Sequence, residues 1–146
     1  MTVVYRVALY FPFVCRVAIA LVWLHEGLWM KVLRQDPHEV SIVGAVGSPL
    51  GMTATQFLCL IGAGEVLIAL AVLAGLYPRF VAGFQIGLLL AMNVTAIFFG
   101  RGTIADPIGL LIHNMPLIVC IFLNGFCNPD RTAGAEGLSP QHGNLP

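Results

Sequence analysis

The sequence predicts an all-α membrane protein: four transmembrane helices in an antiparallel bundle, with a short interfacial helix after the first span. Three observations predict it. The 146 residues are 58% hydrophobic and 10% charged, against roughly a quarter charged in a soluble domain. A chain this short must expose much of its surface, so a larger soluble core cannot absorb the deficit. Four apolar stretches each approach the roughly 20 residues that cross a bilayer, and Pro, Gly and charge mark the turns between them. The chain divides into an apolar N-terminal segment over 1–12, a four-helix transmembrane domain over 13–127 and a polar Gly/Pro-rich tail over 128–146.

The first span is read from about Phe13 to Met30, borrowing its first turn from the segment that Pro12 breaks. Trp23 and Trp29 lie toward its far end, the second where an interfacial aromatic is expected. Asp36-Pro37-His38-Glu39 opens a short helix, with Asp36 as N-cap, Pro37 in the first turn and Glu39 reaching back as in a capping box. Val40, Ile42, Val43 and Val46 continue it, and Gly47-Ser48-Pro49 stops it. Too short to span, it is expected at the membrane surface.

The second span covers about Thr53 to Leu76, and its Gly62, Gly64, Ala69 and Ala71 let neighbouring backbones come close. Tyr77-Pro78-Arg79 is a tight connection, so the third span, about Phe80 to Phe99, is expected to pack antiparallel to the second. The fourth runs from about Pro107 to Phe126 and holds Pro116, which leaves the Ile112 carbonyl without its helical donor and bends the chain.

Net charge is +0, with no basic run, so nucleic acid is excluded as an expected partner. Membrane lipids and other protein subunits are the expected ones. Cys15, Cys59, Cys120 and Cys127 show no Cys-x-x-Cys spacing and read as small buried hydrophobes. Arg6, Arg16, Arg79 and Arg131 fall on one side of the membrane, Lys31, Arg34 and Arg101 on the other. The excess of one puts both termini in the cytoplasm.

Polar groups inside such spans mark a packed or working interior. At a rise of about 1.5 Å per residue, His25, Glu26, Glu65, Asn93, His113 and Asn114 all fall in one half of the bundle. Lys31, Glu39, Arg101 and Asp106 are expected to rim its mouth. In the simplest reading these groups hydrogen-bond to one another and hold the helices together, Glu65 protonated or paired with His25 or His113, and Asn93 and Asn114 bridging. A quinone-type or other amphipathic ligand comes next, since histidine can hand a proton to a quinone oxygen and a carboxylate can relay it. Below these stand a haem b held by His25 and His113 and a metal on His25, Glu26, Glu65 and His113, which no Glu-x-x-His spacing supports. We therefore expect no metal. Covalent catalysis has no paired nucleophile and base, and catalytic residues are not assigned.

Several of these residues form a recognisable series. Trp23-Leu24-His25-Glu26-Gly27-Leu28-Trp29-Met30-Lys31, followed by Asp36-Pro37 and Glu39, resembles the first-helix signature of the DoxX-like membrane proteins. Gly64-Glu65 resembles their second-helix acidic position and Gln85 their third-helix glutamine. Asp106-Pro107-Ile108-Gly109 with Asn114-Met115-Pro116 is similar to their fourth-helix motif, and the likeness covers about Arg16 to Phe126. It departs at Met30, where relatives commonly have proline, and at His113, where they often have lysine. The resemblance implies a small bacterial inner-membrane protein in a redox-linked setting, since some relatives are membrane subunits of quinone oxidoreductases. The expected role is an integral subunit of a larger redox or electron-transfer complex, contributing packing and a quinone or lipid pocket. A subunit that itself reacts with quinone or carries haem is the alternative. A small-molecule transporter ranks last, because no inverted repeat is visible.

Overall fold

The structure, a computed structural model, describes residues 2–47, 51–99 and 106–127, with side chains from Tyr10 onward, Pro107 apart. Helix α1 (Thr2–Leu24) runs without interruption into a π-helical segment (His25–Arg34); α2 (Pro37–Val46), α3 (Ala54–Ala74), α4 (Pro78–Phe99) and α5 (Pro107–Phe126) follow. Four stretches are long and apolar enough to cross a membrane: Tyr10–Arg34, Ala54–Ala74, Pro78–Phe99 and Ile108–Phe126. The protein is a multi-pass membrane protein of all-α class. Arg101 and the tail over 128–146 lie outside the described residues.

The helix ends follow local chemistry. Asp36 caps α2 by accepting a bond of 3.0 Å from the His38 N–H. Glu39 does not complete the expected capping box; its carboxylate turns toward Lys31 instead. A full capping box stands one helix later, where Thr53 and Gln56 each bond the other's backbone N–H at the start of α3. Gly75 ends α3 with φ 65°, a left-handed conformation that glycine adopts without Cβ strain. Asp106 caps α5, accepting from the Gly109 N–H at 2.8 Å. α1 runs through Pro12, where a boundary was expected, and reaches back to Thr2.

Packing departs from the expected neighbour order. α3 lies mainly along α1 and the π segment, α4 mainly along α5, and α3 meets α4 only slightly. The short helix α2 touches both α3 and α4. The close approaches explain the pairing. A Cβ on Gly125 of α5 would strike Ala82 of α4, and one on Gly62 of α3 would lie 2.6 Å from the Gly27 carbonyl oxygen. Small residues at these crossings let the helices meet where dispersion and polar contacts must hold them together in lipid. Ile19, Ala20, Trp23, Ile68, Ala69, Val72, Ala82 and Ile121 form the core where α1, α3, α4 and α5 meet. Large apolar side chains such as Leu67, Phe80 and Ile112 face outward, as a lipid solvent requires.

Candidate functional site

The site begins with a change of winding. From His25 the chain bonds five residues back rather than four: the Gln35 N–H reaches the Met30 carbonyl, and Gln35 then leaves the helix with φ 51°. Such π turns inside helices are rare and occur often at functional sites. The segment keeps Gly27 and Lys31 buried on one side. Gly27 sits against α3 so closely that a Cβ there would come within 2.7 Å of both the Glu65 Cβ and the Gly62 carbonyl oxygen.

That contact sets an ion pair. Lys31, expected at the mouth of the bundle, is 1% exposed, and its Nζ lies 3.1 Å from Glu65 Oε2. Glu65 is also 1% exposed. Glu39, reaching in from α2, brings Oε2 to 3.8 Å from the same Nζ with a third of its side chain exposed. The three groups therefore run from the interior to the surface. Glu65 Oε2 faces the ammonium, while Oε1 accepts no hydrogen bond among the described residues.

Beside this pair lies a cavity of about 550 Å³. Its polar lining is Glu26, Lys31, Glu39, Glu65, Asn93, Thr95 and Asn114; apolar side chains make up most of the remainder, including Val43 from α2, Leu58 from α3, Leu89 from α4 and Leu117 from α5. The Asn114 amide donates to Asn93 Oδ1 at 2.6 Å, joining α5 to α4. Asn93 is 5% exposed, and its own Nδ2 has no partner among the described residues. Trp23 also lines the cavity, and its indole N–H donates to Gln85 Oε1 at 2.8 Å. Gln85 in turn donates to the Val81 carbonyl at 3.1 Å. A burial this apolar, ending in a few polar atoms, is the ordinary form of a small-molecule site.

Of the six residues singled out as ligand-binding, Glu26, Glu65, Asn93 and Asn114 meet at the cavity. His25 and His113 do not line it. His25 is exposed, with Nδ1 3.1 Å from the carboxylate of its neighbour Glu26. His113 is exposed and bonds the Gly109 carbonyl of its own helix at 2.9 Å. Among the described residues the cavity thus offers a haem no histidine ligand. No three of the described His, Cys, Asp and Glu side chains gather as metal ligands. Asp106 serves its helix cap rather than the rim.

Sequence reasoning missed the burial of Lys31 and the place of Trp23 on the cavity wall. A signal for the first was present: Gly27 precedes Lys31 by one helical turn and Gly62 precedes Glu65 likewise, so each charge shares a face with a close-approach glycine. A model described as the DoxX-like family matches residues 20–122. No curated protein and no solved structure matches.

Proposed function

This chain belongs to the DoxX-like family, and from that premise we propose that it is a small integral subunit of a larger, redox-linked membrane complex, holding an amphipathic ligand of quinone type in its cavity. The observation that carries the reading is the cavity itself, lined mainly by apolar side chains with Lys31, Glu65, Asn93 and Asn114 among them. A volume of about 550 Å³ lies within the usual range for small-molecule sites, roughly 300–1,000 Å³. Apolar walls suit a ring and tail, and the unpartnered Asn93 Nδ2 suits a carbonyl oxygen. The subunit sits in a bacterial inner membrane with both termini cytoplasmic, so the cavity occupies the outer half of the bundle. Cys127, exposed at the end of α5, reports that orientation by its reaction with an impermeant maleimide from one side only.

The protein has two tryptophans, so Trp29→Phe leaves Trp23 on the cavity wall as sole fluorophore. A benzoquinone with a decyl tail should quench it saturably, and Asn93→Leu should weaken binding roughly tenfold, the scale of one lost hydrogen bond. A linear response with no saturation would sink the proposal. A second reading, that these polar groups serve packing alone, is favoured by the Asn114–Asn93 and Trp23–Gln85 bonds. It foresees lost stability in Asn93→Leu with no saturable quenching in either protein.

A further inference from the structure

We infer that the cavity selects an uncharged headgroup bearing both a hydrogen-bond donor and an acceptor, and rejects anionic amphiphiles; the inference rests on reading the cavity as a ligand site. Charge carries the first half. Among the described residues the lining holds three carboxylates, Glu26, Glu39 and Glu65, and one ammonium, Lys31. That ammonium is already matched, at 3.1 Å by Glu65 and at 3.8 Å by Glu39. A carboxylate or phosphate headgroup would enter without a free cation to meet it, and like charges set together in a dry site repel strongly. A neutral headgroup meets no such barrier.

Unpaired atoms carry the second half. Asn93 Nδ2 is a buried donor without an acceptor, and Glu65 Oε1 is a buried acceptor without a donor, while Oε2 faces the Lys31 ammonium at 3.1 Å. Buried polar atoms are normally paired, so the two describe a headgroup by its complement: one oxygen to accept from Asn93 and one O–H to donate to Glu65. A hydroquinone and a monoacylglycerol both have that pattern, the first from the redox pool and the second from the lipid itself. Glu65 and Glu39 act as specificity-determining residues, keeping the buried Lys31 ammonium occupied.

The test uses the full chain carrying Trp29→Phe in nanodiscs of uncharged lipid, with Trp23 emission as the readout. A decyl hydroquinone kept reduced under argon is titrated directly; a monoacylglycerol and a fatty acid of equal tail length compete against it. The fatty acid should compete at least roughly 100-fold more weakly than the hydroquinone binds, on the scale of several kcal/mol for a like-charge encounter. The monoacylglycerol arm tells the two neutral sources apart, the tighter binder naming the ligand. Glu39→Gln with Glu65→Gln frees Lys31, and fatty-acid affinity should rise at least roughly tenfold, a gain that a merely structural pair would not produce. If the double variant fails to fold, Glu39→Gln alone, at a partly exposed position, should show a smaller gain of the same sign. A fatty acid that competes with wild-type protein as well as the neutral compounds overturns the inference and leaves the ligand site standing. If no compound binds, the site reading itself fails and takes the inference with it.

Discussion

The two ends of this bundle are built on different principles. At one end Ile19, Ile68, Val72, Ala82 and Ile121 interlock, and Gly125 rests directly on Ala82. At the other, backbones meet just as closely at Gly27 and Gly62, yet the space beside them holds an ion pair and an open volume. Close approach alone therefore does not make a solid core. What differs is the side chain one turn away on the same helix: Ile121 before Gly125, but Lys31 after Gly27 and Glu65 after Gly62. A buried pair such as Lys31–Glu65 is weak evidence for stability, because desolvation offsets most of its attraction. By that measure the oily end carries more of the fold's stability than the polar end.

The sharpest way to break this contrast is Lys31→Met. It leaves Glu65 as a buried charge without its partner and should lower stability by about 3–5 kcal/mol, measured by unfolding in a mild detergent. Adding Glu65→Leu should recover most of that loss, since apolar replacement of a whole buried pair is often neutral. A double variant as unstable as the single one would show that the pair does hold the fold.

Gly62→Val should come next. Its side chain meets the Gly27 carbonyl and the Lys31 Cβ, and overpacking of this kind costs about 1–3 kcal/mol. Gly64→Ala, two residues on and with nothing within 4 Å of its Cβ, should be neutral in the same unfolding assay. Trp23→Phe leaves Gln85 Oε1 buried without its donor, at a loss of about 1–3 kcal/mol; Asn114→Ala removes one interhelical bond worth about 0.6 kcal/mol. Smallest of all, His25→Ala and His113→Ala should each fall within about 0.5 kcal/mol of wild type and leave Trp23 quenching unchanged.

Those last two variants also mark how far the sequence could be read. Hydropathy located all four spans, because lipid tolerates few other patterns, and Asp36 marked a real helix start. Depth counting brought Glu65, Asn93 and Asn114 to the same level. Rotation was the missing quantity. His25 and Glu26 are neighbours, as are His113 and Asn114, and neighbours on a helix point about 100° apart. Depth does not say which of each pair faces the cavity, and the structure turns Glu26 and Asn114 inward. Lys31 was hidden for a different reason. A lysine closing an apolar run, with Arg34 just beyond, has the appearance of a helix end at the headgroups, and the carboxylate that holds it lies 34 residues away in the chain.

One consequence of the π winding concerns length rather than identity. Because His25–Arg34 carries its residues around the axis at a slower pace than its flanks, the number of residues between Gly27 and Lys31 decides which way the ammonium faces. Deleting one position there would rotate everything downstream, taking Lys31 off Glu65 and carrying Glu39 with it. Shortening the chain by a single amino acid would then empty the polar end as thoroughly as replacing both charges, while the motifs of the other helices stayed intact.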